Sequence, residues 1–137
     1  MSDFSTSMTV AASGMRAQSD RMKIIAENIA NANSTSASVT GDPYRRKIAT
    51  VKSAFDRELN ATVVQSSKPV DDMSDFRLQY EPGNPAADKQ GYVKLPNVNS
   101  LVEIMDMREA QRSYEADLTV MDASKTMLAR TVDLLRK

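Results

Sequence analysis

Histidine, cysteine and tryptophan are absent from this sequence of 137 residues, and aromatic residues of any kind make up only 5% of it. Without imidazole or thiol there is no histidine general base, no thiolate nucleophile and no ordinary donor set for zinc, haem or an iron–sulfur cluster. Much enzyme chemistry is excluded on that ground, and no catalytic, metal-binding or cofactor-binding residue is assigned. Net charge is lacking too, because 18 basic side chains balance 18 acidic ones. A nucleic-acid binder draws its affinity from neutralised phosphates and usually shows a basic surplus. Nucleic acid is therefore not an expected partner, and no small-molecule ligand is expected either. Long apolar runs are missing as well, whereas a membrane-spanning helix needs roughly 20 such residues in succession. Residues 1–20 have neither a basic start nor an apolar core of the secretory type. The expectation is a chain that stays in the cytoplasm or leaves it by a route that reads no cleavable signal.

Apolar residues are not scarce, at 41%, and 9 of the residues are methionine. With so few aromatics, that favours helices packed through aliphatic and thioether side chains. From Phe4, steps of four and three residues reach Met8, Ala11, Met15, Gln18, Met22, Ile25, Ile29 and Ala32, all but one apolar. This is a heptad seam. Ser2 and Asp3 are expected N-caps. The seam stops at Asn31-Ala32-Asn33-Ser34-Thr35, whose side chains compete for helix-end backbone groups and tolerate left-handed conformations. The spacing predicts a helix over 4–33.

A second helix is predicted after Pro96. Ser100 and Glu103 stand at capping-box spacing, each placed to satisfy the other's free amide. The same alternating spacing then selects Ile104, Met107, Gln111, Tyr114, Leu118, Met121, Lys125, Leu128, Val132 and Leu135. Neither Gly nor Pro interrupts residues 101–137. Between the helices the character changes, since residues 41–98 hold all five prolines and three of the four glycines. Leu59 to Val64, Phe76 to Tyr80 and Tyr92 to Leu95 read as short strands, and Ser53 to Arg57 as either a strand or a helical turn. Glu81-Pro82-Gly83-Asn84-Pro85 and Lys89-Gln90-Gly91 are turn clusters. The fold class is mainly α with a small β insertion: two terminal helices pairing as an antiparallel coiled coil around a short-stranded module. The expected division is residues 1–34, 35–98 and 99–137.

Each seam buries one stripe, yet Val10, Ala12, Ile24, Ala26, Val120 and Leu134 lie off the seams and widen the apolar face. Self-assembly or a helical partner follows as an expectation. The methionines read first as plain core, with a plastic partner groove as the alternative. Tyr44-Arg45-Arg46-Lys47 is a local basic run that reads as a solvated strand or loop edge rather than a phosphate contact. Asp71, Asp72 and Asp75 match no calcium-loop spacing.

Ser13-Gly14-Met15-Arg16-Ala17-Gln18 followed by Glu27-Asn28-Ile29-Ala30-Asn31-Ala32-Asn33 resembles the N-terminal signature of bacterial flagellar axial proteins of the rod and hook. Gly91-Tyr92-Val93-Lys94-Leu95-Pro96-Asn97-Val98-Asn99, running into residues 103–116, is similar to the proximal rod members of that family. The resemblance covers most of the chain, with residues 36–41 and 60–75 matching least. It marks Asn28, Asn31, Asn33, Gly91, Tyr92, Pro96, Asn97 and Asn99 as family-motif positions. It implies a structural subunit of the rod in the periplasmic space, exported without a cleaved signal peptide by the flagellar type III export apparatus. Its implied partners are other copies of itself, neighbouring rod subunits and the proteins of the export-gate junction, all arranged around an export channel. The expected assembly interface is Phe4, Met8, Met15, Met22, Ile25 and Ile29 on the first helix. On the second it is Ile104, Met107, Tyr114, Leu118, Met121, Leu128, Val132 and Leu135. The alternative reading is a soluble helical adaptor or chaperone that binds amphipathic segments.

Overall fold

The computed structural model describes residues 2–137. Helix α1 (Ser2–Ala30) and helix α2 (Ser100–Leu135) enclose six short strands in sequence. These are β1 (Lys47–Ile48), β2 (Val51–Asp56), β3 (Ala61–Ser66), β4 (Val70–Asp71), β5 (Arg77–Tyr80) and β6 (Tyr92–Leu95). The strands form three separate antiparallel pairs, β1 with β4, β2 with β3 and β5 with β6. Ser53 to Arg57 resolves in favour of strand, being largely β2. No helix among the described residues is long and apolar enough to cross a membrane.

The chain forms two compact units. The first comprises residues 1–22, 50–68 and 108–137. In it α1 and α2 run antiparallel: as α1 advances through Ser7, Gly14 and Arg21, the opposing residues step back through Ser124, Asp117 and Glu109. Ser7 Oγ and Ser124 Oγ lie 3.2 Å apart, and Arg21 reaches Glu109 at 3.8 Å. The contact is close because its residues are small, with Ala11, Ala17, Ala110 and Ser124 all buried. The β2–β3 hairpin lies on α1, where the Val64 amide donates to Ser13 Oγ at 3.1 Å and Ser66 Oγ donates to Asp20 at 2.6 Å. The hairpin turns through Asn60, the one non-glycine residue with positive φ among those described. Asp56 Oδ1 accepts the Glu58 and Leu59 amides there, a local bond pattern that carboxylates favour in turns.

The second unit comprises residues 23–49 and 69–107. Its apolar centre is Ile25, Ala32, Val93, Leu95 and Val98, with Pro96 also fully buried. Helix α1 ends three residues before the predicted stop. Asn31 Nδ2 caps the Glu27 carbonyl at 2.8 Å, and Arg77 donates to the Ala32 carbonyl at 2.8 Å. The exit therefore uses side-chain donors, not the left-handed backbone expected of the Asn cluster. The start of α2 also differs from expectation. Asn99 Oδ1 accepts the Leu101 amide at 3.1 Å, and the Glu103 amide bonds the Asn99 carbonyl at 3.0 Å, so Asn99 is the N-cap. The Ser100–Glu103 box does not form, because the Glu103 side chain is buried and committed elsewhere. Asp3 stands inside the first turn of α1, and the capping expected of Ser2 falls outside the described side chains.

Gly91 closes the β5–β6 hairpin at φ +87°, a region that L side chains rarely adopt. A Cβ there would sit 2.8 Å from Tyr80 Cε2 and 3.2 Å from Pro82 Cβ. Gly91→Ala is expected to destabilise the hairpin by about 1 to 3 kcal/mol. Thermal unfolding checks the loss, and faster exchange of the Glu81 amide, which bonds the Gly91 carbonyl at 2.9 Å, localises it.

Candidate assembly surface and its polar anchor

Asn28 sits on α1 with 1% of its surface exposed and uses both ends of its amide. Its Oδ1 accepts the Tyr44 hydroxyl at 2.7 Å and the Lys47 amide at 3.0 Å. Its Nδ2 donates to the Lys47 carbonyl at 2.8 Å and to Glu103 Oε2 at 3.3 Å. One side chain thus ties the helix to strand β1 and to the first turn of α2. Burial, then the nearby Glu27, Glu103 and Asp71 carboxylates, raise the Tyr44 pKa above the ordinary phenol range, which keeps the hydroxyl a donor.

Glu103, also 1% exposed, ion-pairs with Arg46 Nε. The same guanidinium reaches Asp72 at 3.4 Å and Asp106 at 3.7 Å. Burial disfavours the Arg46 cation, but its hydrogen bonds and charge pairing with Glu103 and Asp72 outweigh that and raise its pKa. Asp72 is held below the usual carboxylate range, first by the Ser74 amide and hydroxyl and then by Arg46. Asn97 Oδ1 accepts the Arg46 amide at 2.8 Å, while its Nδ2 donates to the Asp72 carbonyl at 2.9 Å. Arg45 bonds the Asp72 and Ser74 carbonyls and stacks 4.3 Å from the centre of the Phe76 ring. The basic run is therefore not a solvated edge; it anchors the second unit. Sequence reading missed Arg46 because its partner lies 57 residues away.

Of the motif positions, Asn28, Gly91 and Pro96 are buried, Asn31 and Asn97 half-buried, and Asn33, Tyr92 and Asn99 exposed. Among the expected interface residues on α1, Ile25 is buried, and Phe4, Met8, Met15, Met22 and Ile29 are half-buried. On α2 the outcome is split. Met107, Tyr114, Met121 and Leu128 are half-buried, whereas Ile104, Leu118, Val132 and Leu135 stand exposed. The buried row lies one residue earlier, through Glu103, Ala110 and Ser124 with Asp117 half-buried. This small rotation leaves apolar side chains on both flanks of α2. Ile104, Leu118 and Val132 lie on one flank; on the other, Ala116, Val120, Ala123 and Met127 follow the four-three spacing and Leu134 lies a heptad further on, past Arg130, all exposed. A heptad stripe in water is an association surface in search of a neighbour.

Two family profiles match the sequence: "Flagella basal body rod protein" over residues 8–36 and "Flagellar basal body rod FlgEFG protein C-terminal" over residues 89–134. The chain is 47% identical to the flagellar basal-body rod protein FlgC of Agrobacterium fabrum, covering 99% of this chain and 98% of that one. It is 39% identical to the FlgC of Bacillus subtilis, over 93% and 95% of the two chains. For the FlgC of Salmonella typhimurium the identity is 38%, over 91% and 92%.

Proposed function

The chain belongs to the FlgC family of flagellar basal-body rod proteins and is a structural rod subunit, not an enzyme; from that premise we propose that it packs helically in the cell-proximal rod. Its neighbours there are other copies of itself, adjoining rod subunits and the export-gate junction, set around the export channel. It carries motor torque outward and reaches the periplasm through the type III export apparatus without signal cleavage. Residues 1–34 and 99–137 form its axial helical part, pairing as a coiled coil, and residues 35–98 the module outside it. The expected interface residues of both helices serve this packing.

The observation that supports the reading is the pair of exposed apolar flanks on α2. Leu118 is 39%, Val120 48%, Met127 55% and Leu134 73% exposed. Burying a fully exposed side chain of this kind contributes about 1.5 to 3 kcal/mol; covering the part of each that is still exposed contributes a share of that, and an assembly repeats the gain in every copy. Leu118→Asp and Met127→Asp should leave folding and export intact, since both positions face water in the single chain. A carboxylate in a packed interface costs several kcal/mol, so each variant should vanish from purified basal bodies while still being exported. Normal incorporation of both would show that the flanks of α2 are not assembly surfaces.

A further inference from the structure

One groove of the first unit, about 600 Å³ in volume, lies between Val10, Gly14 and Gln18 of α1, Val64 of the hairpin, and Asp117 and Val120 of α2. Its walls are mostly apolar, Ser7 and Ser113 aside, yet it holds two acceptors that nothing answers. Gln18 Oε1 is buried without a hydrogen-bond partner among the described residues. The half-buried Asp117 carboxylate stands over the space that Gly14 leaves open, where a Cβ would come within 2.6 Å of Oδ2. No hydrogen bond or ion pair reaches that carboxylate among the described residues. Leaving a buried acceptor unmatched is unfavourable. The groove therefore fits an apolar rod that brings one cation.

The same chain presents such a rod. Leu118, Lys125 and Val132 stand at heptad spacing on the opposite flank of α2, all exposed. Lys125 is the cation on this row, and no carboxylate lies within ion-pair distance of it among the described residues. We propose that this row of α2 docks into the groove of a second copy, Lys125 of one chain meeting Asp117 and Gln18 of the next. Donor row and acceptor groove occupy different flanks of one helix, so the contact is heterologous. It leaves an open row on each new copy and propagates in the manner of a filament rather than closing as a two-fold dimer. The proposal rests on the rod reading and specifies which surfaces meet.

The absence of native cysteine allows a direct test. Positions 117 and 125 are about 12 Å apart along one helix, too far for a disulfide within the chain. Basal bodies purified from cells producing the Asp117→Cys/Lys125→Cys chain, once oxidised, should yield dimers and a ladder of higher multiples. Either single Cys variant should yield no ladder. An incorporated double variant that stays monomeric, or links only to a protein of different mass, would overturn the self-docking and leave the rod role standing. Absence of the unmodified chain from basal bodies would instead defeat the rod role. Charge exchange provides a second measurement: Asp117→Lys and Lys125→Asp should each lower incorporation, and the two together should restore it. Failure of that restoration would also overturn the pairing.

Discussion

Arg46→Ala is expected to destabilise the protein by about 3 to 5 kcal/mol, the range for removing one partner of a buried ion pair. The loss comes from what stays behind more than from what is removed. Glu103 is 1% exposed, and without the guanidinium its carboxylate keeps only the Asn28 amide at 3.3 Å. Asp72 and Asp106 lose the same cation, and three carboxylates then face one another around an empty centre. Asp106→Ala provides the contrast. That pair spans 3.7 Å with a third of the aspartate side chain exposed, so its removal should cost about 0 to 1 kcal/mol. Denaturant unfolding of both variants measures the difference, and equal losses would show that Arg46 is not the hub. Asp72 adds a pH signature in the parent chain. Its folded pKa lies below its unfolded one, so its contribution is complete above the ordinary carboxylate range and fades as pH falls through the lowered value. Arg46→Ala should reduce that part of the acid profile without abolishing it, because the Ser74 amide and hydroxyl are the larger causes of the lowered pKa and remain in place.

Asn28→Leu should cost about 3 kcal/mol or more, because a side chain of the same branching but without polar atoms replaces the amide and four hydrogen bonds are lost at once. The Lys47 amide and carbonyl and the Tyr44 hydroxyl would be left inside without partners, each unsatisfied group costing about 1 to 3 kcal/mol before relaxation. Asn28→Asp separates charge from shape. It preserves acceptors for Tyr44 and the Lys47 amide but cannot donate to the Lys47 carbonyl, and it sets a second carboxylate against Glu103. The new carboxyl should titrate above its usual range, so this variant should recover stability on mild acidification while the Leu variant does not. Unfolding at neutral pH and near pH 5 distinguishes them. A pH-independent Asp variant would mean that Glu103 is not close in solution.

The two helices are legible from the heptad spacing and from the confinement of every proline to the middle of the chain. Three of the strands, β3, β5 and β6, follow from local alternation and turn residues. The paired strands β1 and β4 do not, since two residues are too few to show a period. The Asn cluster marks the end of α1, although the left-handed residue turns out to be Asn60.

Family membership was within reach of the sequence by itself, because the motifs are contiguous stretches of chain. So was the lack of imidazole and thiol chemistry, because it depends on which residue types exist and not on where they lie. Tertiary structure alone decided how those stretches are used. Ser100 and Glu103 have the spacing of a capping box, but Arg46 offers Glu103 a charged partner from 57 residues upstream, and the cap falls to Asn99. The α2 seam shows the same limit. A heptad count measures which residues are apolar, whereas the face turned to α1 was chosen by how closely two backbones approach, and Ala110, Ser124 and Gly14 permit an approach that Leu118 and Ile104 would prevent. Local patterns record propensity over a few turns of chain; close packing and buried charge depend on partners that only the folded backbone brings together.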